Sequence, residues 1–521
     1  MRNTVKKGLK GILAIEAGLL LLAVGVGLPL FYHDGYVQIS SWKYLYFQNT
    51  MKLALWCILP VLVMYGIFAV DKEVLNLKKW KESLGSTRPL TKALILFTVL
   101  ITVSYAFAVD RKEALWGTDG WFMGYGTYLC FIACALMIGY FFPYKRLGMG
   151  IVAGAGFLVI FWGICNRFSI YPVQMTLSSP EFISSMGNVN WMCGYLSLIV
   201  PLIMGIYFGA GTNWQKNLIL LPAALSMGFL VIEGSESAFL ILVALLIALF
   251  FLAGLDEGLQ VRYYEILVMF FGCTQFFRIW NIVVPDALNK IEPMGLILMG
   301  NLGTLGLFIS LMLLVWKPHW GKTFRLVALT MLCVGIALVF SLMVINTSYG
   351  GTLFGKGLLY FSDDWGSGRG RIYYDGILVF QHMPFFRKLI GVGPDCFASF
   401  AYSQEVISNL FHQQFWEARL TNAHNESITQ MVNIGVLGMA SFWYLLWSAA
   451  KIAKKQASGI IQTKSQEESS DTRVYYGLTL AILCYFVHNM VSFAQIESAP
   501  ILFLLVGLAF GQSEVRASQK E

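Results

Sequence analysis

Residues 421–438 read TNAHNESITQMVNIGVLG, a His, an Asn and a Glu in succession directly before an apolar run. Imidazole changes charge near neutral pH, so His424 is a candidate general base. Asn422 or Asn425 can cap the helix that starts here, leaving His424 near its positive end. That placement disfavours imidazolium and keeps the ring able to accept a proton. The free N–H groups of such a helix start can also hold an anion. Glu426 is the rival base, or it offsets the helix dipole from the first turn. Asn425 orients a neighbour or caps the helix rather than reacting.

Cations that could meet an anionic group lie elsewhere in the chain. Arg369 sits in GSGRGR (366–371), a Gly-rich bend leading into a helix, where backbone and guanidinium can approach a phosphate together. The planar guanidinium fork grips phosphate oxygens at two points. Arg371 is a weaker second ligand, because Asp375, four residues on, can pair with it; attraction to anionic headgroups is the alternative for both. Arg278 lies inside an apolar run about six residues, roughly 9 Å of helix, from its outer end. A charge at that depth costs ~1–3 kcal/mol, so it faces a wet cavity, pairs with Glu233 or Glu236, or snorkels outward. Asn188 and Asn190 either bond hydroxyl groups of a ligand at the mouth of a cavity or cap the span that follows. His488 and Asn489, well inside a span, suit an interhelical hydrogen bond, and Arg387 with Lys388 suits an interface anchor.

Other chemistries find no motif. The nine Cys fall mostly in apolar segments without a CxxC pair, and Asp363–Asp364 is adjacent rather than spaced, so no metal site is expected. There is no nucleotide-phosphate loop and no internal repeat; no cofactor and no nucleic-acid partner is expected.

The elements that must position these residues are membrane helices. The chain has 521 residues, 57% hydrophobic and 13% charged. A soluble domain carries about 25% charged residues, so the composition is that of a polytopic membrane protein. The basic start MRNTVKKGLK and the following apolar run, which lacks a small-residue cleavage pattern, read as an uncleaved first span. Apolar runs recur at 12–32, 51–70, 92–109, 122–142, 148–166, 191–209, 217–233, 238–254, 263–284, 294–316, 326–346, 433–450, 475–494 and 498–512. These predict an all-α bundle of about fourteen transmembrane helices. With a cytoplasmic N-terminus, roughly 24 Lys and Arg fall inside, among them Lys72, Lys78, Lys79, Lys81, Arg88, Lys145, Arg146, Lys454, Lys455 and Lys464. This charge bias makes the threading self-consistent, with both termini cytoplasmic.

That threading divides the chain into an N-terminal bundle (1–346), one long external loop (347–432) and C-terminal spans (433–521). A loop that long calls for a function. RIYYDGILVF and SQEVISNLFHQQFWEARL carry apolar residues at helical spacing and read as short amphipathic helices at the membrane interface. GVGPDCF between them is a turn. The inner segment 464–473 is polar and reads as flexible.

Three stretches, in order, resemble the O-antigen ligase and polymerase superfamily of bacterial envelope glycosyltransferases. GNVNWMCGYLSLIVPL (187–202) is similar to that family's Gly-Asn-x-Asn opening of a span. SGRGRIYYDGILVF…MPFF…GVGPDCF (367–397) resembles its Arg, helix, Pro and Gly-x-Gly run. AHNESITQMVNIGVLG (423–438) resembles its His-Asn and Gly-x-x-Gly run, and 487–511 fits the family's ending. The resemblance implies a polyprenyl-diphosphate-linked oligosaccharide donor and a glycan or lipid-glycan acceptor. It implies transfer on the outer face of the bacterial cytoplasmic membrane, among its lipids, without nucleotide sugar or metal. In that setting His424 would free the acceptor hydroxyl, Arg369 and Arg371 would hold the diphosphate, and Arg278 would add positive charge. One departure stands out: where the family carries a Ser-Arg pair, EGSESAFL (233–240) has Glu236. A transporter or flippase for a glycan lipid or small anion is the alternative, suited by Glu233, Glu236 and Arg278; it predicts mid-membrane charge pairs and repeats.

Overall fold

The computed structural model describes residues 2–69, 89–416, 418–459 and 472–510. Lys72, Lys78, Lys79, Lys81, Arg88 and Lys464, which enter the charge argument, lie outside the described residues, as does most of 464–473.

Every apolar run named above has a helix or a bent helix pair as its main part among the described residues, so the all-α membrane bundle stands. Among the described residues, nine helices are long and apolar enough to cross a bilayer, and Pro293–Met299 with Asn301–Trp316, bent by 48°, makes a tenth. The other expected spans are shorter helices: Tyr125–Phe141, Ser237–Ala253, Tyr476–His488 and Ala499–Leu508. A span needs about 20 residues to cross the hydrocarbon. Tyr476–His488, with 13 residues, covers only roughly 20 Å as helix. The chain then leaves helical geometry from Asn489 to Ser498 while staying almost wholly buried. Irregular backbone at membrane depth is tolerated only where protein or a wet cavity satisfies its polar groups, and what satisfies these is the candidate site.

The centre of the bundle is Val189–Gly209, nearly all of whose residues are buried. It packs along Tyr476–His488, and the two backbones touch where Gly205 meets Gly477; a methyl on Gly205 would collide with the Gly477 backbone. Small residues permit such close approach in a membrane, where packing rather than water exclusion holds helices together. Ahead of this helix, Phe182–Ile183 pairs antiparallel with Gly187–Asn188, in register Phe182 to Asn188.

Residues of 347–432 form a second core with the short helix Arg111–Trp116. Ala114, Val379, Val392, Phe397, Phe400, Ile407 and Phe411 are buried together, separate from the bundle core. The two expected amphipathic helices are present as Trp365–His382 and Glu405–Phe415, and an unexpected short helix, Phe397–Ser403, precedes the second. By contrast, Lys322–Ser348, the helix entering this segment, buries only Asn346, whose amide donates to the carbonyls of Gly355 and Leu359.

Candidate functional site

The bend before Arg369 is built by three consecutive residues in left-handed geometry, Gly366 (φ 59°), Ser367 (φ 61°) and Gly368 (φ 88°). Two glycines make this reversal affordable, since only glycine enters that region without a Cβ penalty. Arg369 then donates from Nη1 to the Gly366 carbonyl at 3.0 Å, while its buried Nε has no partner. Arg371 is differently employed. Its guanidinium pairs with buried Asp375 at 3.3 Å and with Asp363 at 3.5 Å, and lies 5.5 Å from the centre of the Tyr374 ring. Burial raises the Asp375 pKa and Arg371 opposes that rise. Arg371 therefore locks its own helix in place.

The second element is the turn into Glu426–Asn433. His424 sits in the left-handed region (φ 46°), its backbone N–H donating to Asn422 Oδ1 at 3.0 Å. Asn425 is the helix cap: Oδ1 accepts from Ile428 N at 3.1 Å, and Nδ2 donates to the Met490 carbonyl at 2.7 Å. Asn422 and Asn425, left open as alternative caps, thus divide the work. The His424 ring packs edge-on against Phe493, with centroids 5.2 Å apart, and neither ring nitrogen makes a hydrogen bond among the described residues. Burial, and after it the nearby positive charge of Arg369, lower the His424 pKa from 6.5 to about 4. The imidazole and the guanidinium, 55 residues apart in sequence, thus lie within each other's electrostatic reach.

The floor of the site is the irregular stretch after His488. Tyr373 Oη donates to the Met490 carbonyl at 2.9 Å, and the backbone N–H of Glu426 donates to the Asn489 carbonyl at 2.9 Å. The Glu426 carboxylate is fully engaged: Oε2 accepts from Ala494 N at 2.6 Å and Oε1 from Gln430 Nε2 at 2.6 Å. Gln430 in turn donates to Tyr128 Oη at 2.9 Å. Motif residues Asn425 and Glu426 therefore supply the hydrogen bonds that let the last span break open. His488 departs from expectation. It makes no interhelical hydrogen bond; both ring nitrogens are buried without partners, within the field of Arg369.

Beside His424 lies a small cavity bordered by Trp121, Asp395, Asn422, Glu426, Asn433 and Phe493. Asp395, from the GVGPDCF turn, accepts from Thr118 N at 2.7 Å and Met123 N at 3.1 Å, and burial pushes its pKa up to about 7. Trp121 Nε1 donates to Thr421 Oγ1 at 2.8 Å, and its ring meets Phe493 edge-on at 4.8 Å. Through these contacts the segment 117–123 joins the site.

The remaining expected residues separate from this cluster. Arg278 pairs with neither Glu233 nor Glu236; Nη1 donates to Thr304 Oγ1 at 3.0 Å and Gln275 Oε1 at 3.4 Å. No contact joins it to His424 or Arg369 among the described residues. Asn188 is a cap, accepting from Asn190 N at 2.8 Å, and Asn190 accepts from Ser235 Oγ at 2.8 Å, pinning the GSES break. The cation at that break is Arg167, which sequence reasoning missed. It is buried, donating to the carbonyls of Glu233 and Pro180 and to Asn289 Oδ1. Gly234 (φ 96°) leaves the room: a side chain there would strike the Arg167 guanidinium. The available signal was a charge ending the Gly-rich run 148–166. Lys43 was missed likewise; buried, it donates to the carbonyls of Leu28, Pro29 and Phe31. Among the described residues no three His, Cys, Asp or Glu side chains stand together as metal ligands would.

Residues 297–443 match the family model described as O-antigen ligase, a segment that contains both Arg369 and His424. No curated protein matches the chain. The motifs of the Arg369 bend and the His424 turn, their meeting in one site of an all-α membrane bundle, and this family match agree. Residues 297–443 are thus an O-antigen ligase-like segment, set in an all-α membrane bundle.

Proposed function

We propose that this protein is an inverting glycosyltransferase that moves a glycan from a polyprenyl diphosphate to an acceptor hydroxyl. The reaction takes place on the outer face of the cytoplasmic membrane, with both termini inside. The family supports the class of partner, a lipid-linked glycan donor and a glycan acceptor. The observation that carries the reading is the pairing of a neutral imidazole without hydrogen bonds and a guanidinium with an unpartnered Nε in one site.

His424 takes the proton of the acceptor hydroxyl, and that oxygen attacks the anomeric carbon. The bond from the anomeric carbon to the diphosphate oxygen breaks, and its electron pair leaves with the phosphate. Arg369 meets the charge that develops there, as fixed cations do in transition-state stabilisation. A base with a pKa of about 4 is weak at rest. Binding the diphosphate places negative charge against Arg369 and cancels part of its field at His424. The imidazole pKa then recovers part of the share that Arg369 held down, the smaller of the two causes, which strengthens the base. Donor binding thus arms the base.

The test is to express His424→Ala and Arg369→Ala separately in a strain lacking the native protein and to measure surface glycan at matched protein levels. Each variant is expected to lose on the order of 10²-fold or more in transfer. Wild-type glycan from both would end the assignment.

A further inference from the structure

At the far end of the bundle from His424 lies a second polar cavity. Val189–Gly209 defines the two ends. Trp191 in its first turn reaches His424 through the ring contacts of Trp121 and Phe493, whereas Phe208 and Gly209 at its last turn line a cavity of about 430 Å³. Three cations converge on it from three separate elements: Lys216 from Asn213–Ile232, Arg262 from Glu257–Val283, and Arg473 from the short 3₁₀ turn Arg473–Tyr475. One carboxylate lines it, Glu265, which Lys216 meets at 2.9 Å and Arg262 at 3.1 Å. Arg473 has, among the described residues, only a long 3.4 Å contact with Asp256, whose other oxygen caps the N–H groups of Gly258 and Leu259. Among the described residues, three cations against one lining carboxylate leave two positive charges in surplus, and one even when Asp256 is counted. The other walls are apolar, Phe208, Leu259 and Val261. Nearby Trp214 is exposed, and so are Leu218 and Leu221 farther along the same helix. An exposed Trp beneath exposed leucines marks the level where lipid headgroups meet acyl chains.

We propose that this cavity binds the phosphodiester headgroup of an anionic phospholipid from the leaflet opposite the candidate site. The cations take the phosphate and the apolar wall takes the start of an acyl chain. Positive surplus beside an apolar wall at headgroup level fits an amphiphile better than a free phosphate ester, and basic pockets between membrane helices are suited to such lipids. The reading stands apart from the reaction proposed above.

The experiment measures the thermal unfolding midpoint of the purified full-length protein in neutral detergent. It is titrated with dioleoyl phosphatidylglycerol, dioleoyl phosphatidylcholine or glycerol 3-phosphate. A ligand that binds the folded state raises the midpoint by mass action. Phosphatidylglycerol should raise it saturably, and the other two should leave it unchanged. In the double variant Lys216→Ala, Arg473→Ala, half-saturation should require at least ~10-fold more lipid. Glu265→Gln provides the counter-test: by enlarging the positive surplus it should tighten lipid binding, whereas mere damage to the fold would weaken it. Equal stabilisation by phosphatidylcholine, unchanged half-saturation in the double variant, or weaker binding in Glu265→Gln would overturn the proposal. Equal stabilisation by glycerol 3-phosphate would overturn its assignment to a lipid.

Discussion

At pH 7 the His424 imidazole is neutral by a wide margin, because burial and the Arg369 charge both hold its pKa down, at about 4. The two causes can be separated. Arg369→Gln removes the positive charge and leaves the burial, so the His424 pKa should rise while staying below its ordinary 6.5. The pH dependence of His424 modification by diethylpyrocarbonate, read by mass spectrometry, measures this; an unmoved midpoint would show that the guanidinium does not act on the ring. The same shift has a consequence for folding. Between pH 6.5 and about 4 the unfolded imidazole binds a proton that the folded one refuses, so this residue lowers stability as pH falls through that window. His424 and Arg369 stood out in sequence because a His and an Arg flanked by Gly residues are unusual at the edge of an apolar chain. Arg167 and Lys43 were not legible. Their main partners are five backbone carbonyls, all more than ten residues away in sequence, and a carbonyl leaves no signature in side-chain spacing.

The break in the last spans is the element that makes the site. Its length in sequence misleads, since Met490, Val491, Phe493 and Ala494 prolong the apolar run past His488. The helix stops anyway, because Asn425, Glu426 and Tyr373 bond the freed backbone groups. Leaving one such group unmet costs about 1–3 kcal/mol. Glu426 thereby acquires a task that differs from catalysis, and one substitution distinguishes the two. Glu426→Gln keeps an oxygen for Ala494 N, and its amide N–H can donate to Gln430 once Gln430 turns its amide oxygen inward and accepts from Tyr128 Oη as well. It should therefore retain most of the transfer activity, measured beside His424→Ala in the same membranes. A loss as deep as that of His424→Ala would make Glu426 the base. Helix existence was legible throughout, because apolar runs of span length admit little else in a bilayer. Helix ends were not, where tertiary hydrogen bonds decided them.

For the molecule as a whole, the bundle places the Arg369 bend and the His424 turn on the same side, above a second core of their own. The proposed reaction requires that side to be the exterior, as the charge bias of the sequence leads one to expect. Single cysteines at Ser367 and Lys454 in a background lacking the exposed native thiols test it. A membrane-impermeant maleimide should label S367C in intact cells and K454C only after lysis; the reverse pattern would put the site in the cytoplasm. The central claim is that the imidazole and the guanidinium act as one unit on a departing diphosphate. A double-mutant cycle on kcat/KM, with wild type, His424→Ala, Arg369→Ala and the double variant, measures that coupling. The prediction is that each single variant is severely impaired and the double variant is little worse than the poorer single. Losses that multiply, or a single variant with wild-type kcat/KM, would contradict it.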